Sequence, residues 1–556
     1  MKILPLLLTV LATSLLDAKP QPTPLSVEDQ MKGLLDQVSN TLYSDYAPYL
    51  WKNDHSDWSL FDELAKAKDK VTGSMRLKDY QRVVRDFVRT THDYHVSALF
   101  YSTERATLPI RMKGASGRYF ISWIDRHKLP LTEFPFHIGD EVLTYDGLLV
   151  DERVKKLQSE EVSGACKETD RMIAELLLSS RSGVLAHVVP QGEVVLEILS
   201  KQDKKKHRAA VAWEYEKEKI LPPPFKAPLL AAKPSNNHIK EFSSPLAKTL
   251  YTMNVGLGDR KSFVPNLGKI TWKTSPKANF HAYIFLDEKG RSIGYIRLPH
   301  YMAGEVEAQE FGELISFMNN QTAALVIDQV DNPGGSVLYL YALASMLSEE
   351  PLAIPTHRCS LTQETLMGAL QLIEWLDGVK TEREATHLLG ETVFFTGYPS
   401  SLEVVEQMIY NCYVLMNEWN QGRFLTDPLY LYGISSLNPH PYFCYSGKIL
   451  VLINALDVSG GDFFPAILQD NKRATLFGSR TAGAGGYVQR TEFANRFGIS
   501  ALYYTGSLAE RSTKKPIEDL GVTPDIFYSV TVDDLQNNYR GYQSAVLEAL
   551  ETLLNE

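Results

Sequence analysis

The chain has 556 residues, which at roughly 150 residues per domain points to about three or four structural units and excludes one large core. Hydrophobic residues make up 44%, aromatic residues 10% and charged residues 22%, a balance that excludes a collagen-like, coiled-coil or mostly disordered protein. Lys and Arg number 57 against 67 Asp and Glu, a net charge of -10, so the basic footprint that a phosphate backbone needs is missing and nucleic acid is excluded as a partner.

Met1-Lys2, the apolar run Ile3 to Leu16 and the Pro-rich Lys19 to Pro22 read as a secretory signal peptide over 1–18. The run is shorter than the roughly 18 to 20 apolar residues that span a bilayer, and no later stretch qualifies. The expectation is an exported protein with no stable membrane span. Cys166, Cys359, Cys412 and Cys444 show no CxxC or Cys/His ligand spacing, so neither a zinc module nor a disulfide framework is expected.

Residues 19–104 read as a helical region. Ser26 is a candidate N-cap, and Met31, Leu34, Leu35, Val38 and Leu42 recur at helical spacing. Two further helices are predicted over Leu60 to Ala67 and Leu77 to Val88, with His92 in the last turn of the latter. His95 to Phe100 is rich in strand formers, which puts His95 at a helix-to-strand junction. Over 105–215 the pattern changes to short strands at Gly117 to Trp123, Ile138 to Gly147, Val194 to Leu199 and His207 to Trp213. Gly139-Asp140 and Asp146-Gly147 are turn signals that resemble those of PDZ-like domains. No GLGF-type carboxylate loop is visible, so a structural role and peptide capture both stay open for this domain.

Residues 216–275 carry Pro222-Pro223-Pro224, many polar residues and little periodicity, and read as a linker or a processed segment. From 276 to 556 the chain is α/β. One buried strand, Ala323 to Ile327, ends in Asp331-Asn332-Pro333-Gly334-Gly335-Ser336 and feeds a helix. A second, Ile449 to Ile453, ends in Asp457-Val458-Ser459-Gly460-Gly461 and feeds another. Ser459 lies where a nucleophile elbow exposes its hydroxyl, although an N-cap serine would fit the same place. The uncovered N–H groups of Gly460 and of Gly334 or Gly335 suit a developing oxyanion.

Four motifs, Asp328 to Ser336, Ser459 to Phe464, Gly478 to Gly486 and Glu518 to Asp525, resemble in the same order those of the C-terminal processing (tail-specific) serine peptidases. The closest likeness is to a subgroup of that family with a Ser-His-Glu triad. The resemblance implies a multidomain α/β fold with a helical N-terminal region, a PDZ-like β domain and a ClpP/crotonase-like catalytic domain. It also implies Ser459 as nucleophile, His95 as base and Glu518 as the acid that orients it. Many members use instead a lysine base in a glycine turn, and here Ala484 stands at that place, which makes His95 necessary. His92 and His95 are three residues apart with no third ligand nearby, so no metal is expected, and no organic cofactor is implied. The implied partners are protein or peptide substrates and a second copy of the chain in a homodimer, with self-cleavage within Leu221 to Ser275. The competing reading is a non-catalytic carrier of hydrophobic ligands on the same fold.

Overall fold

The computed structural model describes residues 25–162, 164–219, 241–243, 245–253, 255–390, 397–399 and 401–555; the signal-peptide reading over 1–18 lies outside them. Ser26 caps helix α1 (Val27–Asp45), its hydroxyl accepting from the Asp29 N–H at 3.1 Å. The five apolar positions of α1 are all buried. Together with α2 (Tyr49–His55), α3 (Leu60–Asp69) and α4 (Leu77–Arg89) they form a core. That core is shared with Phe497, Ile499, Leu502 and Tyr504 from the far end of the chain. The strand Ser97–Phe100 adds to the attachment by pairing antiparallel with Ile499–Thr505. His92 is not in the last turn of α4, as the sequence predicts. The helix ends at Arg89, Thr90 and Thr91 turn their hydroxyls back onto the Phe87 and Val88 carbonyls, and His92 sits beyond them in a left-handed turn with φ 52°.

The second unit is an antiparallel sheet of Ile110–Ala115, Arg118–Ile124, Glu141–Tyr145, Glu193–Leu199 and Lys206–Ala212, in that order. The helices Val150–Glu161 and Lys167–Leu177 share its core. Asp146 and Gly147 have φ 50° and 80°, the two positive values that the predicted tight hairpin requires.

The third unit is built on a seven-stranded sheet. Lys269–Lys273, Ala282–Leu286 and Ser292–Arg297 pair antiparallel, and Ala324–Asp328, Lys448–Ile453, Thr475–Gly478 and Ile526–Phe527 continue in parallel. Alternate residues serve two cores: Leu325, Ile327, Ile449 and Val451 face one side, and Ala324, Val326, Leu450 and Leu452 the other. Burial of both faces is why these strands read as unbroken apolar runs.

Part of the predicted linker is integral to the fold. Pro245–Thr252 is a helix whose Ala247 and Leu250 are buried, and Lys269–Lys273 is the outermost strand of the large sheet. An edge strand with charged ends and a single short helix leave too little periodicity to register in sequence.

Candidate active site

The elbow follows the strand Lys448–Ile453 and precedes the helix Gly460–Asp470. Ser459 is held at φ 62°, ψ -111°, a left-handed backbone that costs a non-glycine residue on the order of 1–3 kcal/mol and persists only where the surroundings fix it. The surroundings are polar. Asp462 accepts from the Ser459 N–H at 2.8 Å, the Gly483 N–H at 2.8 Å, the Ala484 N–H at 3.1 Å and the Thr481 hydroxyl. Burial nevertheless pushes the Asp462 carboxyl up to about 6, against the pull of those donors. The Ser459 hydroxyl makes no cap bond and has no hydrogen-bond partner among the described residues. Of the two roles open to it in sequence, the cap is therefore not the one it plays.

Pro465 lies inside the helix and cannot donate to the Gly461 carbonyl four residues back. Gln329 fills that gap, donating to Gly461 O at 2.8 Å and to Asp457 at 3.1 Å, while its own oxygen accepts from the Tyr301 hydroxyl at 2.8 Å. Asp457 also accepts from the Asn332 N–H at 3.0 Å, and the Val458 N–H reaches the Asn332 carbonyl at 2.9 Å. The two glycine turns are thus stitched together.

The two candidate oxyanion glycines on the first turn differ. Gly334 gives its N–H to the Asn332 side chain at 2.9 Å, so it is not free to donate. Gly334–Ser336 is a short strand before the helix Val337–Ser345, not the helix terminus that the sequence suggests. The Gly334 carbonyl and the Ser336 N–H are bonded to Tyr301, so strand alternation turns the Gly335 N–H to the opposite edge. A methyl group on Gly460 would lie 3.2 Å from that nitrogen, and one on Gly335 only 2.1 Å from the Tyr301 carbonyl carbon. Gly460, as the first residue of its helix, has no intrahelical acceptor for its N–H. The opposite edge carries the strand Glu241–Ser243, with Phe242 across from Gly335, and Glu241 also pairs with Val488.

His95 is fully buried, and its backbone N–H donates to Asp93 at 2.7 Å. Asp93 is itself held by the Tyr46 hydroxyl at 3.0 Å and the Thr505 hydroxyl at 2.6 Å. Neither ring nitrogen of His95 has a hydrogen-bond partner among the described residues. Burial pushes the imidazole down to about 4, with Lys52 adding to the shift and Asp93 opposing it, so the ring is neutral at neutral pH.

Glu518 is also buried. Its oxygens go to the Lys52 ammonium at 2.8 Å and the Gly485 N–H at 2.9 Å. A methyl group on Gly485 would sit 2.2 Å from the Glu518 nitrogen, so only glycine allows this approach. Tyr94, Val458 and Ala484 belong to one hydrophobic cluster with the PDZ-like core. The chain neighbours of His95 and Ser459 and a residue of the glycine turn thus share one core. In the described state no hydrogen bond links His95 to Ser459 or to Glu518.

Sequence reasoning missed Lys52, Asp93, Asn332 and Asp462. Asp462 had a readable signal, an acid three residues after the elbow serine, which is the capping-box position. Among the described residues no cluster of His, Cys, Asp and Glu could hold a metal ion, and no helix is long and apolar enough to cross a membrane.

Comparison with known proteins agrees with this architecture. Residues 104–220 match the model of the PDZ domain and residues 292–528 that of peptidase family S41. A protein of Chlamydia muridarum is 34% identical over 92% of this chain and 90% of its own length. Mature CPAF, the chlamydial protease-like activity factor, in a structure with lactacystin, is 32% identical with a TM-score of 0.81, covering 95% of this chain and 99% of that one. A second structure of mature CPAF is 31% identical, also with a TM-score of 0.81, over 95% of this chain and 98% of that one. The chain belongs to peptidase family S41 and is a serine peptidase of that fold.

Proposed function

We propose that the chain is an exported serine endopeptidase that cuts protein substrates through Ser459, His95 and Glu518, and that it is made as a precursor whose own segment covers the site. The observation that carries the reading is the elbow: a serine in a left-handed backbone with an unpartnered hydroxyl, followed by Gly460 at a helix N-terminus, with the Gly335 nitrogen 3.2 Å from where a methyl on Gly460 would stand. Ser459 Oγ attacks the peptide carbonyl carbon as His95 takes its proton. The oxyanion forms against the N–H groups of Gly460 and Gly335. His95 returns the proton to the departing amine, and water repeats the sequence on the acyl-enzyme. Glu518 orients the imidazole and stabilises its charged form.

Two features support the precursor. His95, Ser459 and Glu518 are not joined by hydrogen bonds, and the strand Glu241–Ser243 lies along the edge to which the Gly335 N–H turns. An extended strand across an oxyanion donor is the pose of a bound substrate backbone. Cleavage within Leu221 to Ser275 would separate the part bearing His95 from the part bearing Ser459 and Glu518, and the shared cores would hold the fragments together. Wild type and Ser459→Ala, expressed side by side and examined by denaturing gel and mass spectrometry, test this. Wild type is expected to give two fragments with ends in this segment while the variant stays whole; equal cutting of both refutes self-processing. Export rests on the signal-peptide reading, and the amino terminus of the secreted form tests it. The homodimer is supported by Met367, Leu370, Tyr410 and Tyr413, exposed on the helices Gln363–Leu376 and Leu402–Asn420. Sedimentation velocity reads it directly.

A further inference from the structure

Helix α2 carries Lys52 into the interior, where its side chain is 4% exposed. The ammonium has three donors and three acceptors: Glu518 at 2.8 Å, Asp519, and the His92 carbonyl at 3.3 Å. The first two lie on the loop of the proposed acid and the third on the loop that ends in His95. Trp51, the preceding residue, donates its indole N–H to the other oxygen of Asp519 at 2.9 Å. Two successive residues of one short helix therefore grip the Glu518 loop, and one of them also holds the His95 loop.

The charge is as specific as the geometry. Glu518, Asp519 and Asp93 all face Lys52, and against burial they hold its pKa above the ordinary lysine range. Tyr46, His92 and His95 complete the titratable surroundings. The Arg480 guanidinium donates to the Asp519 carbonyl at 3.0 Å. Burial, with Asp93 and Asp519, pushes Glu518 above the carboxylate range, and Lys52 is the cation that opposes them.

We propose that Lys52 is a positioning residue for the reaction: it supplies the counter-charge for Glu518 and ties the Glu518 loop to the loop bearing His95, so that the N-terminal helices complete the active site. This rests on the reading of Glu518 as the triad acid. Without Lys52, Glu518 binds its proton at higher pH, and the acid limb of the rate profile moves upward. Lys52 also acts on His95 through space, and loss of that effect would move the limb in the same direction. The two routes separate in a background that lacks the Glu518 carboxylate.

The experiment uses the full chain with engineered protease sites on both sides of Glu241–Ser243, cut before measurement. The rate at which a fluorophosphonate probe labels Ser459 is followed between about pH 5 and 9 for wild type, Lys52→Met, Lys52→Arg, Glu518→Gln and Lys52→Met/Glu518→Gln. Lys52→Met should slow labelling at neutral pH by about tenfold or more and move the acid limb up by about one unit or more. Lys52→Arg keeps the charge and should keep the limb, even if it labels more slowly. In the Glu518→Gln background the Lys52 substitution should move the limb by clearly less than it does with Glu518 present, the remainder being its effect on His95. A folded Lys52→Met with the wild-type limb overturns the proposal, as does an equal shift in the Glu518→Gln background, which would assign the effect to His95 alone. Should Lys52→Met not fold, Lys52→Met/Asp519→Asn, which leaves one carboxylate fewer beside the lost ammonium, gives the same reading, and an unmoved limb there is equally fatal. Wild-type behaviour of Glu518→Gln would refute the triad acid instead, and no labelling of wild type would refute the peptidase reading and this inference with it.

Discussion

Replacing Asp462 by Asn should separate stability from activity. The carboxylate serves four donors, the N–H groups of Ser459, Gly483 and Ala484 and the Thr481 hydroxyl. An amide oxygen facing Ser459 and Ala484 keeps two of them. The amide NH2 then faces Gly483 and Thr481; the hydroxyl can turn to accept, but the Gly483 N–H loses its acceptor, at about 1–3 kcal/mol. Against this stands the relief of a buried charge. The shift of Asp462 from 3.8 to about 6 is about two units, or about 3 kcal/mol in favour of a neutral group at pH 7. The two nearly cancel, so Asp462→Asn should lie within about 2 kcal/mol of wild type while the elbow loses the charge that fixes it. The sign of the pH dependence follows. A carboxyl whose folded pKa is raised binds its proton more tightly in the native state, so its contribution is present at low pH and lost as pH rises through about 4 to about 6. Unfolding of both proteins at about pH 4 and 8 should show this loss in wild type relative to Asp462→Asn, and fluorophosphonate labelling should fall about tenfold or more in the variant. A destabilisation above about 4 kcal/mol at pH 7, or the same pH dependence in both proteins, would mean that the Asp462 charge is not held in the fold at a cost.

Ser459→Ala should abolish proteolysis and change stability by less than about 1 kcal/mol, since the hydroxyl has no cap bond to lose; retained proteolysis would remove Ser459 from the mechanism. Glu518→Gln should be slower than wild type but faster than His95→Ala, because misorienting a base is milder than deleting it, and the two labelling rates measured together decide it. Gly335→Ala should be severe, for φ is 152° and the added methyl would meet the Tyr301 carbonyl; a near-wild-type melting temperature and labelling rate would mean that this turn is not rigid.

The large elements were legible for two reasons. Helix α1 keeps one apolar period from Met31 to Leu42, and the central strands, Leu325 to Ile327 and Ile449 to Ile453, are unbroken apolar runs because both their faces are buried. The elbow was legible because Ser459-Gly460-Gly461 combines a buried strand, a sharp turn and a helix start. Lys52 was not, because a lysine on the seven-residue helix α2 has the pattern of a surface residue, and its partners Glu518 and Asp519 come from the other end of the chain. Nor could a backbone pattern show that the Gly334 N–H is already taken, since its acceptor is the Asn332 side chain. His92 was misplaced because two threonine hydroxyls, not a glycine or proline, end helix α4.

The strand Glu241–Ser243 leads into the helix Pro245–Thr252, whose Ala247 and Leu250 are anchored in the same cluster as the PDZ-like core. If that strand is the internal competitor proposed above, a single cut upstream of Glu241 leaves it tethered from its other end. A segment held so closely competes at an effective concentration on the order of millimolar, whatever the concentration of the protein. An outside substrate that binds at micromolar strength would then have to be present in large excess to displace it. A second break beyond Ser243 converts the competitor into a free short peptide, diluted to the concentration of the enzyme itself. The number of cuts, more than the first cut alone, would set the onset of full activity.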